Sequence, residues 1–379
     1  MAYDFKAGTL SVNGLVCTLG VTAEKESGLI TVTDKTAWLN TLAKKGYSTG
    51  PTGAWKTEWL SVYQYLDYGF GTCYVGGTGS TGSYTAFSIT NTPLHNPSLV
   101  DMDVVFDCGT TFSAGAAKHI AQTRQDCVAL IGNKNDITNI SATYVASGGI
   151  TNDFGITTGN SEYVAFIAGR KQIDTKVSTN SSWPSSYITV NMSPDIAGLL
   201  ALNSNNTNIL TVVAGQGTTK VIKNAVSLTQ YFTDTEASNL ALNNINPIRQ
   251  YPGSGIFLMG NKTFKNDSNS AVNRLNISIL VNSIKRTLSP ILRKYLFTEN
   301  NQSTRSLVYS DVDSALSKIF TGLGTSSISY TVQCDADNNQ STTTLQVDVR
   351  LSIPAIAETI TLTLINNDDG STLSTTTIN

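Results

Sequence analysis

The sequence predicts an α/β N-terminal domain with a mixed, partly parallel sheet, followed by an α+β C-terminal domain. Strand-like and helix-like segments alternate between about residues 101 and 204, and this alternation is typical of parallel strands joined by helices. A polar break of Asn, Asp and Ser then occupies 266–270. The segments after it are two helices and several strands of alternating hydrophobicity, which indicates a second architecture.

The first domain is predicted to open with a hairpin. Alternating apolar residues flank Asn13 and Gly14 within 9–19, and an Asn-Gly pair tolerates the backbone of a type I′ turn. Asp34 is a suitable N-cap for the first helix. Hydrophobic periodicity predicts helices at 34–46, 55–70, 114–125 and 193–204 and strands at 72–77, 101–108, 126–132, 163–169 and 187–192.

The second domain is predicted to begin with an amphipathic helix over 272–288. Pro290 lacks an N–H group, so we expect it to kink or split this helix, with Ser289 capping the second piece. The pattern further predicts a helix at 304–322 and strands at 327–334, 345–353 and 359–366.

The composition narrows the classes of function. Among 379 residues only 14% are charged and the formal net charge is −2, whereas a nucleic-acid-binding protein is normally basic. The opening residues do not resemble a signal peptide, and no apolar run is long enough to span a membrane. We therefore expect neither a nucleic acid nor a membrane as a partner.

The sequence offers no candidate for a metal, a cofactor or a catalytic centre. Its five cysteines are far apart and it has two histidines, whereas a zinc site needs four clustered ligands. We expect reduced, buried thiols. A triad of Ser113, His119 and Asp107 is conceivable, but the Gly-x-Ser-x-Gly turn of hydrolases is missing. We expect no cofactor, no metal and no catalytic residues.

One segment closely resembles a motif of a known family. Residues 243–264 read NNINPIRQYPGSGIFLMGNKTF and resemble the stretch that closes the α/β domain of contractile tail sheath proteins. Met259 and Lys262 replace the Trp and Arg of that family. The matching residues are Ile245, Asn246, Ile248, Arg249, Tyr251, Pro252, Gly253, Gly255, Gly260 and Thr263.

Further segments resemble the same family in the same order along the chain. Residues 232–246 precede the motif, and 273–301 and 332–365 follow it. A looser resemblance covers 19–42 and 67–77. The N-terminal arm that is usual in the family is not recognisable here, and the tail beyond residue 366 looks additional.

The resemblance implies a structural protein rather than an enzyme. Such a subunit polymerises with copies of itself as stacked hexameric rings around a tail tube, and contracts to drive the tube through the host envelope. Its further partners would be the tail tube, baseplate and tail terminator proteins. Its location would be the virion tail, after assembly in the host cytoplasm. The alternatives are the sheath of a non-phage contractile injection system and an enzyme resembling α/β hydrolases.

The resemblance also divides the chain and assigns an exchange of strands. We expect an N-terminal arm with the first hairpin at 1–18, an outer α/β domain at 19–265, and the sheath domain with its terminal arm at 266–379. An alternating strand at a chain end has unpaired backbone groups and can join a neighbour's sheet. The residues expected to take part in the exchange are Leu10, Val12, Val347, Val349, Leu351, Ile360, Leu362 and Leu364.

A cluster of basic residues is the second candidate site. No acidic residue occurs between residues 268 and 298, and the resemblance implies that helices of this domain face an acidic tail tube. Complementary charge can hold such a contact without deep burial. The residues expected to face the tube are Lys285, Arg286, Arg293, Lys294, Arg305 and Lys318.

Overall fold

The computed structural model forms two compact units, Met1–Leu296 and Phe297–Asn379. The structure describes residues 12–14, 27–44, 55–69, 71–78, 93–176, 186–267, 270–323, 328–339, 344–353, 360–365 and 372–378.

The first unit contains six α-helices and eleven strands within its described residues. The helices are α1 Lys35–Lys44, α2 Trp55–Leu66, α3 Thr111–Arg124, α4 Ser193–Asn206, α5 Asp234–Leu242 and α6 Leu275–Arg293. The strands are β1 Val12–Gly14, β2 Ser27–Val32, β3 Cys73–Thr78, β4 Val104–Phe106, β5 Val128–Gly132, β6 Val164–Ala168, β7 Arg170–Asp174, β8 Tyr187–Asn191, β9 Ser227–Leu228, β10 Ile245–Tyr251 and β11 Gly255–Leu258.

A six-stranded sheet is the centre of this unit. Its order is β1-β4-β5-β6-β10-β11, and every neighbouring pair is parallel except β10 and β11. Strands β7, β8 and β9 form an antiparallel sheet, and β2 pairs with β3. The predicted mixed, partly parallel sheet is therefore present.

The core occupies both faces of the central sheet. Val104 and Phe106 of β4 contribute to one hydrophobic cluster with residues of α2 and α4. Val105 contributes to a second cluster with residues of α3 and α5. This division follows from the two-residue period of a strand, because successive side chains point to opposite faces. Burial on both faces explains why these strands read as continuous apolar runs.

The predicted N-terminal hairpin was wrong. Residues Val12, Asn13 and Gly14 form β1, which pairs in parallel with β4, and Val12 lies opposite Val104. Asn13 and Gly14 therefore belong to a strand and not to a turn. The edge of β4 supplies a long-range pairing that the local sequence pattern does not reveal.

Pro290 does not split α6, which also differs from the prediction. The helix continues through Pro290 to Arg293, and the Ser289 hydroxyl donates to the Lys285 carbonyl 2.7 Å away instead of capping a new helix. Pro290 lies in the exposed last turn. The helix is held by its buried face further back, at Ile277, Ile284 and Leu288.

The two units are separated at a later point than the polar break suggested. The expected boundary lay between residues 265 and 266, whereas the chain divides between Leu296 and Phe297. Leu275 and Ile279 of α6 belong to the core cluster that also contains Val104 of the central sheet. Burial of this helix face makes α6 part of the first unit.

The second unit contains one helix and two antiparallel strand pairs in its described residues. They are α7 Gln302–Leu323, β12 Ser329–Gln333 with β13 Asp348–Ser352, and β14 Ile360–Ile365 with β15 Thr372–Ile378. The predicted helix and three strands are confirmed, and β15 is an additional strand.

Candidate assembly surfaces

The motif at 243–264 contains the last hairpin of the central sheet, β10–β11, and buried hydrogen bonds hold this hairpin in position. Asn246 of β10 is fully buried, and its amide nitrogen donates to the carbonyls of Phe166 (2.9 Å) and Lys262 (2.8 Å). Its amide oxygen accepts from the Lys262 backbone N–H at 2.7 Å. A Cβ atom at Gly260 would lie 2.7 Å from this oxygen, so a glycine is required there.

The end of the motif fixes the start of α6. The Thr263 backbone N–H donates to the Asn273 carbonyl at 2.7 Å, and its hydroxyl donates to the Val272 carbonyl at 2.8 Å. The Leu275 N–H donates to the Asn261 carbonyl at 2.9 Å. The motif is thus a structural joint between the sheet and α6.

Arg286 is directed into the first unit. Its guanidinium forms ion pairs with Asp101 (2.9 Å) and Asp103, and donates to the carbonyls of Met102 (2.8 Å) and Asp126. Only 14% of its side chain is exposed. Burial lowers the pKa of Arg286 to about 10, and Asp101 opposes this shift. Arg286 therefore attaches α6 to the loops around β4 and β5.

Lys285 makes weaker contacts nearby. Its ammonium group donates to the Tyr163 hydroxyl at 3.1 Å and to the Gln125 carbonyl at 3.4 Å, and it lies 5.1 Å from the centre of the Tyr163 ring. The side chain is exposed. Lys285 and Arg286 thus both contact other parts of the first unit.

Arg293 and Lys294 occupy the exposed C-terminal end of α6. Cations at this end of a helix interact favourably with its dipole. In the second unit, Lys318 is exposed on α7, whereas Arg305 is half-buried and donates to the Asn300 side-chain oxygen at 3.1 Å. The six predicted cations therefore occupy different environments.

The strand pair β12–β13 presents two open edges. Within the described residues, each of these strands pairs only with the other. Tyr330 of β12 stacks on Phe320 of α7, with ring centres 5.0 Å apart. Across the pair, Tyr330 lies opposite Leu351 and Val332 lies opposite Val349. These four residues of the pair are half-buried.

The terminal strands were predicted to join a neighbouring molecule. Ile360, Leu362 and Leu364 lie in β14, which pairs with β15 of the same chain. Val347 lies just before β13, and Leu10 lies outside the described residues.

Val12 lies in β1, which pairs with β4 at the edge of the central sheet of its own chain. This intrachain pairing uses the free parallel edge of β4.

The conceivable catalytic triad is not assembled. The Asp107 carboxylate accepts from the side chains of Asn191 (2.7 Å) and Ser193 (2.6 Å), and burial raises the pKa of Asp107. Ser113 belongs to the capping box at the start of α3. His119 is hydrogen-bonded to His95, so the three residues have separate structural partners.

The thiol prediction is confirmed for four cysteines. Cys73, Cys108, Cys127 and Cys334 form no disulfide bond within the described residues and are buried, and burial raises the pKa of the Cys127 thiol. Cys17 lies outside the described residues. Within the described ranges, no helix combines the length and the apolar character that a membrane crossing requires.

Two curated relatives are tail sheath proteins. The chain is 27% identical over 233 residues to the tail sheath protein of Enterobacteria phage T4, and this match covers 58% of this chain and 33% of the relative. The chain is 35% identical over 95 residues to the tail sheath protein of Vibrio phage KVP40, and this match covers 25% of this chain and 14% of the relative. The chain thus matches a third or less of these longer proteins. No protein-family model matches the sequence.

Solved sheath structures share the fold over nearly the whole chain. The PVC sheath complex of an extracellular contractile injection system, in its contracted state, has a TM-score of 0.66 at 16% identity and covers 97% of both chains. The contracted helical sheath of the anti-feeding prophage has a TM-score of 0.65 at 17% identity, and covers 95% of this chain and 94% of that chain.

A third structural neighbour is the sheath tail protein of Listeria innocua, with a TM-score of 0.53 at 10% identity; the match covers 98% of this chain and 96% of that chain. The sequence relatives and the structural neighbours together support the contractile tail sheath family for this chain, as the motif had indicated.

Proposed function

We propose that the chain is a structural subunit of a contractile tail sheath, which polymerises as stacked hexameric rings around a tail tube. The observation that carries this proposal is the shared fold with contracted sheaths over 95–97% of the chain. The sequence similarity to two phage tail sheath proteins supports it independently. In this role, contraction of the rings drives the tube through the host envelope.

The open edges of β12 and β13 support assembly through strand exchange. An exposed strand edge readily pairs with a further strand, and strand addition supplies main-chain hydrogen bonds together with side-chain contacts. In the proposed assembly, β14 of a neighbouring copy joins this edge. A contact that does not close on itself builds a helical tube.

The proposed contact with the tail tube involves the exposed cations Arg293, Lys294 and Lys318. Their side chains are exposed, whereas only 14% of the Arg286 side chain is exposed. Exposed charges hold a complementary surface weakly and are screened by salt. A contact of this kind can be broken when the sheath contracts.

The proposed partners are copies of this chain, the tail tube, the baseplate and the tail terminator, and the proposed location is the virion tail after assembly in the host cytoplasm. Two of the structural neighbours are baseplate structures of the anti-feeding prophage, which favours contact with a baseplate. Because one structural neighbour is the sheath of an extracellular contractile injection system, a non-phage injection system is the second candidate.

Electron microscopy of the purified chain tests the proposed function. We expect long tubes or stacked rings in negative stain, because each subunit links to others through its strand edges. A monodisperse globular particle at high protein concentration would contradict the proposal and would favour the hydrolase-like alternative. Genes for tube and baseplate proteins beside this one, with or without capsid genes, distinguish a phage tail from an injection device.

A further inference from the structure

The first unit contains a cavity of about 400 Å³ that neither the tube contact nor the strand exchange uses. Sites for small molecules usually have volumes of about 300–1,000 Å³, so this cavity suits a compact ligand. Its walls come from α1, α2, β7 and α4 and from the loop before β9. The lining residues are Lys35, Tyr63, Gln64, Asp67, Lys171, Ile173, Asp174, Lys176, Asp195, Asn224, Ala225 and Val226.

Three buried polar residues form what we call the floor of the cavity. Gln64, Lys171 and Asp195 have exposed fractions of 4%, 0% and 1%. The Asp195 carboxylate accepts from the Lys171 ammonium at 2.7 Å and from the Gln64 amide nitrogen at 2.8 Å. Tyr68 donates to the same carboxylate at 3.1 Å. Both oxygens of Asp195 are therefore occupied, and Gln64 and Lys171 are held in place beside it.

The floor leaves one acceptor and one donor without a partner in the described part of the chain. The Oε1 atom of Gln64 is buried and accepts no hydrogen bond there. Lys171 has three N–H groups, and its acceptors among the described residues are Asp195 and the Lys223 carbonyl, each at 2.7 Å. An unpaired buried acceptor is unfavourable. A hydroxyl group would pair with both atoms, because it donates one hydrogen bond and accepts others.

The rest of the lining combines apolar surface with balanced charge. Tyr63, Ile173 and Val226 provide apolar surface, and Val226 is 54% exposed. The lining contains three lysines and three aspartates, so its formal charge is zero. An ion would lose its water without a matching opposite charge, which is costly. The lining therefore favours a neutral ligand with both polar and apolar parts.

We propose that this cavity binds a neutral sugar residue, with one hydroxyl between Gln64 Oε1 and the Lys171 ammonium. A sugar ring presents hydroxyls at its edge and C–H groups on its faces, which match the polar floor and the apolar wall. One water molecule occupies about 30 Å³ and would leave most of the cavity unfilled. Sugar binding is independent of sheath assembly, because no lining residue belongs to the proposed tube contact or strand exchange.

Saturation-transfer nuclear magnetic resonance on the full chain tests the proposal. The probes are glucose, galactose, mannose and N-acetylglucosamine at millimolar concentrations, and we expect at least one of them to bind. The amino and uronic acid analogues of that sugar should bind severalfold more weakly, because each carries a charge. An oligosaccharide that ends in the same sugar distinguishes the two sources: tighter binding than the free sugar indicates the end of a glycan chain.

Ala225→Leu adds bulk to the cavity wall and should weaken sugar binding about tenfold. Ala142→Leu is the matched control, since Ala142 is exposed and lies outside the lining; it should bind as the parent does. Gln64→Met removes the unpaired oxygen and should also weaken binding, with the melting temperature showing that the variant folds.

Three outcomes would overturn the assignment. They are the absence of binding for all four sugars, unchanged binding in Ala225→Leu, and charged analogues that bind as tightly as the neutral sugar. If Ala225→Leu does not fold, an experimental structure of the parent chain with the sugar decides the question. Density for the sugar beside Gln64 is expected, and density at another place only would refute the site.

Discussion

At the scale of single residues, the most demanding feature of the first unit is a buried charge pair. Lys171 of β7 and Asp195 of α4 are almost completely buried, with the ammonium nitrogen 2.7 Å from the carboxylate. Tyr68 and Gln64 also donate to this carboxylate, at 3.1 and 2.8 Å. Burial raises the pKa of Asp195, and Lys171 opposes the shift. The pair thus joins three elements through one carboxylate.

Lys171→Met should destabilise the first unit, because it leaves the Asp195 carboxylate buried without its cation. Removal of one partner of a buried pair typically costs about 3–5 kcal/mol. Denaturation in urea measures this loss. The double variant Lys171→Met with Asp195→Asn should recover a large part of it, since no buried charge remains. Equal stability of the single variant and the parent would contradict this account.

The motif shows how far sequence reasoning reaches at this scale. The resemblance pointed to Asn246 and Gly260, but not to their contacts. The Asn246 amide binds the Phe166 carbonyl, 80 residues away in the chain, and no local pattern encodes such a distance. The pairing of His95 with His119 was hidden for the same reason.

At the scale of elements, α6 is attached by more than its apolar face. Its buried side includes the polar residues Asn276 and Ser278, which donate to the carbonyls of Leu210 (2.9 Å) and Glu162 (2.8 Å). Arg286 adds its ion pairs about two to three turns further along. These contacts fix both the position of the helix and its rotation about its axis.

Arg286→Gln should loosen α6 from the first unit. Asp103, with 5% of its side chain exposed, would lose its contact with the Arg286 guanidinium, and removal of one partner of a buried ion pair typically costs about 3–5 kcal/mol. Lys285→Gln is the matched control, because an exposed charge contact contributes about 0–1 kcal/mol. Hydrogen exchange of the α6 amides measures the effect. Equal protection in the two variants would show that Arg286 does not anchor the helix.

The exposed end of α6 carries the proposed tube contact. The double variant Arg293→Glu with Lys294→Glu should weaken co-sedimentation with the tail tube protein severalfold, and more strongly at low salt, because exposed charges are screened by ions. Lys134→Glu, which reverses an exposed cation beyond β5, should leave co-sedimentation unchanged. If the double variant binds the tube like the parent, these cations do not form the contact.

Periodicity predicted the long elements well and the pairings poorly. The helix patterns were recognised because an apolar stripe every three to four residues is a local signal. The short strand β1 was mistaken for half of a hairpin, because its partner β4 begins about 90 residues later and leaves no trace near Asn13. The effect of Pro290 was overestimated, because α6 continues through this residue to Arg293.

At the scale of the whole molecule, the described strands of the second unit form small sheets with edges that a further strand can join. Its described strands form two separate pairs, β12–β13 and β14–β15. Two-stranded pairs gain stability when further strands or a helix cover them. In the proposed sheath, a strand from a neighbouring copy extends the β12–β13 pair, which already packs on α7 through Tyr330 and Phe320.

The two faces of β14 provide the sharpest test of this exchange. Leu362 and Leu364 alternate with Thr361 and Thr363 in the sequence, and the two-residue period of a strand predicts one apolar and one polar face. Leu362→Asp with Leu364→Asp should abolish tubes in electron micrographs, because the charges occupy the apolar face that would pack in the neighbour. Thr361→Asp with Thr363→Asp adds the same charge and should still allow tubes to form.

Deletion of residues 354–379 should also prevent assembly while the first unit keeps its melting temperature. Tubes that persist after this deletion would show that the C-terminal strands do not connect the subunits.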